Sequence, residues 1–261
     1  MEMKLKDWVT LGNLACGLGA IGCLIVDPFT LGPLGNFDVA CFLVVFGFVF
    51  DALDGLVARL TKQFNKFGSE LDNLCDMISY SMAPGFLLFH AFHYQANYSV
   101  WLAAFIAFVP VAAGTIRAAR FNVRRAEFPG FFIGFPRTGF ALVTVALLQS
   151  TLFRVAAEQY EWLFLVPVGL VVLTSFMMLS LHGFASHHGF RWKGWIRFGM
   201  WFFLISIPVG LVAGWLLDYP ALLFDLLLFD QMVYMFVSHL AIKPEVRAEY
   251  KAYIKQWKAM S

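Results

Sequence analysis

The chain has 261 residues, of which 60% are apolar and 14% charged, and its formal net charge is +2. That composition, with a mean hydropathy of +0.72, excludes an ordinary soluble domain, where about a quarter of residues are charged. It also lacks the strong basic excess of a nucleic-acid binder, so an integral membrane protein with no nucleic-acid partner is expected. In chain order, the apolar stretches divide into eight helical segments, at roughly 9–27, 38–60, 69–93, 98–120, 138–153, 162–181, 196–217 and 221–242, each close to the ~20 residues of one membrane crossing. Residues 2–8 are expected to form a short interfacial helix with Trp8 at headgroup level, ahead of a first span that is retained rather than cleaved. The fold class is therefore all-α, a polytopic membrane helix bundle of about eight transmembrane helices.

Basic residues orient these segments, because cytoplasmic loops are enriched in Lys and Arg. Eighteen of the 19 fall on one side of an eight-span arrangement, and Arg154 alone sits opposite. Both termini are thereby expected in the cytosol. Cys16, Cys23, Cys41 and Cys75 lie within spans without a Cys-x-x-Cys pair and are expected to be free. The 30 phenylalanines read as lipid-facing filler.

Within this apolar background one segment is chemically loaded. Residues 51–76 read Asp-x2-Asp-Gly-x2-Ala-Arg-x8-Gly-x3-Asp-x3-Asp, formed by Asp51, Asp54, Gly55, Ala58, Arg59, Gly68, Asp72 and Asp76. Spacings of three and four place Asp51 with Asp54, and Gly68 with Asp72 and Asp76, along single helical faces. Four carboxylates near a membrane interior cost about 2.5–3.5 kcal/mol each and demand a counter-charge. Arg59 supplies one; divalent cations are expected to supply the rest. Oxygen ligands without His or Cys favour Mg2+ or Mn2+, and a bridged pair of such ions is a device for phosphoryl chemistry. Gly55, Ala58 and Gly68 would leave room for a ligand at the backbone. Two competing readings are a structural ion-pair network, disfavoured by the excess of acid over base, and a divalent-cation transport path, disfavoured because the acids cluster at one membrane face.

This motif resembles the signature of the CDP-alcohol phosphotransferase family, membrane enzymes that move a substituted phosphate from a CDP-linked donor to an alcohol. The resemblance implies that Asp51, Asp54, Asp72 and Asp76 hold two divalent cations, Mg2+ or Mn2+, and that Asp76 is also the general base. It implies further that Asn13, Asp54, Gly55, Ala58, Arg59 and Gly68 bind the CDP moiety, that the first six helices form the catalytic core, and that the protein is a homodimer. Within the family, Thr10-Leu11-Gly12-Asn13, Ser79-Tyr80-Ser81-Met82-Ala83-Pro84, Ala119-Arg120-Phe121-Asn122 and Phe132-Ile133-Gly134-Phe135-Pro136 are similar to segments of the integral-membrane phosphatidylserine synthases. Tyr80 and Ser81 replace Phe and Gly there, and Arg137 stands where those enzymes carry a small or apolar residue. The resemblance implies CDP-diacylglycerol and L-serine as substrates, with another acceptor such as glycerol 3-phosphate or an inositol compound as the alternative.

A serine acceptor carries a carboxylate and needs a cation; Arg117 and Arg120 at the end of the fourth span are the candidates, with Asn122 for the ammonium group. Arg124, Arg125 and Arg137 read as headgroup contacts, and His182, His187 and His188 as interfacial loop residues. The expected organisation is a catalytic bundle over 1–181, further transmembrane helices over 182–242, and a basic amphipathic cytosolic tail over 243–261. Lys243, Arg247, Lys251, Lys255 and Lys258 share one helical face of that tail.

Overall fold

The computed structural model describes residues 3–61, 66–123, 128–186, 195–236 and 242–259. Helix α1 (Leu5–Ile25) starts where the sequence suggests a separate interfacial helix. Asp7 accepts from the Lys4 amide at 2.8 Å and closes the first turn, so polar start and apolar span form one helix. Small residues set how α1 packs. A Cβ on Gly12 would lie 2.7 Å from the Phe50 ring and one on Gly17 would run into Ser79, so both glycines permit close helix approach of the kind membrane bundles favour.

A short hairpin (β1, Thr30–Leu31; β2, Leu34–Gly35), turning through Gly32 at φ +62°, leads into α2 (Asn36–Thr61). Residues 66–95 are one helical run: α3 (Lys66–Met77), a wide π turn at Ile78–Met82, α4 (Ala83–His90) and a second π turn at Ala91–Gln95. The first widening has a cause in the sequence. Pro84 lacks an N–H for the carbonyl four residues back and its ring would strike it, so the turn before Pro84 opens.

Helix α5 (Val100–Val123) packs on α4 and on α8 (Leu165–Leu179). Helix α6 (Arg137–Gln149), in which every residue except Thr138 is buried, packs on α2, α4 and α8 and is the axis of the bundle. The expected single segment at 138–153 is instead α6 followed, after Ser150, by α7 (Thr151–Gln159) at a 48° bend. After α8 come α9 (Trp195–Leu216), α10 (Leu222–Phe236) and α11 (Pro244–Ala259). Helix α10 packs directly on α6, and Phe224 and Leu227 share one core with Val44, Leu87 and Phe140, so the C-terminal helices belong to the same packed body.

Each of the eight expected segments falls mainly on helix, residues 237–241 of the last lying outside the described residues. Among the described residues four helices are long and apolar enough to cross a membrane, or five if α6 and α7 count as one bent span. Phenylalanine divides between the outer face (Phe105, Phe108, Phe176) and the core (Phe92, Phe135, Phe140, Phe224) rather than serving only as lipid-facing filler. All four cysteines are free.

One element has no counterpart in the sequence reading. Strand β3 (Phe131–Ile133) pairs antiparallel with β4 (Gly183–Ala185), in the register Phe131 with Ala185 and Ile133 with Gly183. Gly134, at φ +76°, then turns the chain, donating its amide to His182 O at 2.8 Å, and Arg137 opens α6. The hairpin thus fixes where Arg137 enters the bundle. Against its outer side lies α11: the Tyr250 ring stacks on Phe131 at 5.0 Å and its hydroxyl donates to Leu181 O at 2.8 Å. The apolar face of α11 is taken up by the protein, leaving Lys251 and Lys255 exposed on its flank.

Candidate active site

The acid motif is built where the last turns of α2 face α3. Asp51 and Asp54 lie on the face of α2 turned toward α3, and Asp72 and Asp76, one helical turn apart on α3, point back. One carboxylate oxygen from each of Asp51, Asp72 and Asp76 lies within 4.8 Å of the others, the acid cluster among the described residues able to hold a metal. The donor set is all oxygen, and Asp72 Oδ1 is buried without a hydrogen-bond partner, so a hard divalent cation fits this place. Asp54 stands to one side: it is buried, and its Oδ2 accepts from Thr10 Oγ1 at 2.6 Å.

Asp76 is the most constrained of the four. Its Oδ1 accepts from Asn13 Nδ2 at 3.1 Å, and its Oδ2 lies 3.6 Å from the Arg137 guanidinium. Asn13 is fully buried on α1, and its backbone carbonyl in turn accepts from Ser79 Oγ at 2.9 Å. Sequence reading assigned Asn13 to the CDP moiety; the structure puts its side chain on Asp76. The π turn just after Asp76 carries Ser79 and Tyr80 inward, and the buried Tyr80 hydroxyl lies beside Asp51.

The remaining motif positions separate. Gly55 has only Arg59 Nη1 near its missing Cβ, at 3.5 Å, so the backbone there is open; Ala58 is buried, and Arg59 is exposed at the helix end. Gly68 is different. Its missing side chain leaves space that the Lys6 and Asp7 side chains already fill, so Gly68 admits α1 rather than an open channel.

The expected acceptor residues also separate. Arg117 is half-buried, with Nη2 at 3.5 Å from Ile133 O and a buried Nε that has no hydrogen-bond partner. Arg120 donates to the carbonyls of Leu179 at 2.8 Å, Met178 at 3.3 Å and Ser180 at 3.4 Å. It closes the C-terminal end of α8, the end where a cation is favoured, and is committed to that contact rather than turned to the acids. Asn122 Oδ1 accepts from Asn73 Nδ2 at 3.3 Å. His187, His188, Arg124 and Arg125 lie outside the described residues.

Two cations that the sequence reading used for orientation or headgroup contact are site residues. Arg137, 8% exposed, forks onto Asn73, with Nη2 at 2.7 Å from its Oδ1 and Nη1 at 3.4 Å from its carbonyl, while facing Asp76. Lys6, also 8% exposed, lies 3.7 Å from Asp7 and fills the space beside Gly68, one turn before Asp72 on α3. The only sequence signal for either was a basic residue next to a span, which the orientation rule absorbs equally well. With the four acids facing two close cations, the cluster retains negative charge, as a cation site should.

Comparison with known proteins agrees with this geometry. The chain is similar to the CDP-diacylglycerol–serine O-phosphatidyltransferase of Helicobacter pylori strain J99, with 35% identity over 161 residues, 60% of this chain and 65% of that protein. The enzymes of the same name from Methanocaldococcus jannaschii (33% over 147 residues, 56% and 61%) and Saccharomyces cerevisiae (36% over 130 residues, 49% and 44%) match as well. The chain thus spans less than two thirds of the length of each of these relatives. A profile described as CDP-alcohol phosphatidyltransferase matches residues 3–167, more than half the chain and all of the acid motif, and the chain belongs to that family.

Proposed function

We propose that this protein transfers the phosphatidyl group of CDP-diacylglycerol to the hydroxyl of L-serine, giving phosphatidylserine and CMP. The convergence of Asp51, Asp72 and Asp76 from two helices carries the reading, and the relatives named as serine O-phosphatidyltransferases favour the acceptor. Asp51, Asp54, Asp72 and Asp76 would hold two divalent cations, Mg2+ or Mn2+, which when bound neutralise the diphosphate and the departing phosphate charge. Gly55, Ala58 and Arg59 border the nucleotide on the open side of α2.

Asp76 is the base. The serine hydroxyl proton passes to an Asp76 carboxylate oxygen as the serine oxygen bonds to the phosphorus carrying diacylglycerol. The bond from that phosphorus to the CMP oxygen breaks, and CMP departs with the electron pair. Asn13 and Arg137 hold the two Asp76 oxygens in place for this transfer. Arg117, half-buried with an unengaged Nε, is the candidate for the serine carboxylate; Arg120 supports it by anchoring α8, and Asn122 lines the same side through Asn73. The lysine and arginine distribution supports a cytosolic site and cytosolic termini, and the family resemblance supports a homodimer.

Purified protein in mixed micelles with CDP-diacylglycerol and Mn2+ or Mg2+ tests the reading, with CMP release measured against L-serine, glycerol 3-phosphate, inositol and no acceptor. Serine-dependent release is expected. Release with a different acceptor would move the acceptor assignment, and none with any acceptor would favour the cation-transport alternative.

A further inference from the structure

We infer that Lys6 is a donor-binding residue, whose ammonium pairs with the phosphate oxygens of the CDP moiety at the end of the acid cluster opposite Asp76. This rests on the phosphotransferase reading above and extends the nucleotide site to a residue outside the acid motif.

The argument begins with burial. A lysine at the start of a membrane helix ordinarily extends into water or toward headgroups. Lys6 instead folds inward and is 8% exposed. Local structure directs it there. Its carbonyl accepts from Thr10 Oγ1 at 3.0 Å, and Thr10 Oγ1 also donates to Asp54 at 2.6 Å, tying the first turn of α1 to α2. Gly68 on α3 supplies the room: a Cβ there would collide with the Lys6 ammonium and lie 2.6 Å from its Cε. The motif glycine therefore serves to admit this side chain.

Position then decides what the ammonium does. The Lys6 ammonium lies against Gly68, one helical turn before Asp72, and its own turn of α1 is tied to Asp54 through Thr10, while Arg137 is the guanidinium facing Asp76. The two cations thus divide the site, one at the end where Asp54, Gly55 and Ala58 border the nucleotide and one at the base. The pairing of Lys6 with Asp7 is 3.7 Å, an ion pair longer than a hydrogen bond. Asp7 Oδ1 has that ion pair but no hydrogen bond, and Asp72 Oδ1, one helical turn beyond Gly68 on α3, is buried with no hydrogen-bond partner. A purely structural lysine so little exposed to water would be expected to hydrogen-bond those oxygens. A compact ammonium with three donors, held at a diphosphate site, is instead suited to bridge phosphate oxygens as they arrive.

Calorimetric titration of CDP into the detergent-purified full chain with Mn2+ tests this. Wild type is compared with Lys6→Met, Lys6→Gln and Lys6→Arg, alongside Mn2+ titrations without nucleotide and the KM for serine. Lys6→Met and Lys6→Gln should each weaken CDP binding about tenfold or more, the scale of a lost charge-assisted hydrogen bond. Mn2+ affinity should be unchanged or tighter, since a competing positive charge is gone, the serine KM should stay put, and Lys6→Arg should recover part of the loss. CDP affinity within about twofold of wild type in folded variants, or parallel loss of CDP and Mn2+ affinity, would overturn the assignment and leave Lys6 a packing residue. Wild type that binds Mn2+ but no CDP would remove the phosphotransferase reading itself, a result separable from failure at Lys6 alone.

Discussion

Asp76 shows how one side chain acquires a role from what surrounds it. Asn13 donates to one oxygen and Arg137 faces the other, so the carboxylate has a fixed orientation beside the two other cluster acids. Asp76→Asn keeps size and packing but removes the proton acceptor. Turnover should fall on the order of 100- to 10,000-fold, the usual share of a general base, with the fold intact and some Mn2+ binding retained by calorimetry. Near-normal CMP release by this variant would refute the assignment. The four acids were legible in the sequence because spacings of three and four on a helix are rigid. Lys6 and Arg137 were not, since each meets the cluster only through a contact across some 60 residues of chain, and a basic residue beside a span already has a sufficient explanation in membrane orientation.

The elements show a similar division. Apolar length located the helices, and α6, the least typical of them as a span, proved to be the buried axis. Local pattern could not show the β3–β4 hairpin: three-residue strands have too little alternation to read, and these pair across about 50 positions. Yet this hairpin aims Arg137. Its turn residue Gly134 sits at φ +76°, and a Cβ there would collide with Met178 O and lie 3.0 Å from Ser180 O. Gly134→Ala should therefore destabilise the fold by at least about 1–2 kcal/mol from the left-handed backbone alone. At roughly 2–4 °C per kcal/mol for a chain of this size, the detergent melting midpoint should drop by several degrees, with turnover reduced more than CDP binding because Arg137 is displaced from Asp76. An unchanged midpoint would show that the hairpin does not constrain this turn.

At the scale of the whole molecule, α1, α2 and α3 meet around a charge imbalance that their own residues do not neutralise. Packing elsewhere opposes that strain: α10 lies on α6, and α11 braces the hairpin through Tyr250. The bundle therefore forms with a repulsive seam between α2 and α3, and a divalent cation bound there should act as a clamp on the folded state. Because the unfolded chain scatters Asp51, Asp72 and Asp76, binding is linked to folding. At a hundredfold excess of Mn2+ over its dissociation constant the gain is about 2.7 kcal/mol, or roughly 5–10 °C in midpoint. Melting curves with Mn2+ and with EDTA should separate by that amount in wild type and converge in Asp72→Asn, whose Oδ1 is the buried, unpartnered oxygen of the cluster. A shift of equal size in wild type and Asp72→Asn would place the stabilising ion elsewhere on the protein, and no shift in either would leave the seam held by Lys6 and Arg137 alone.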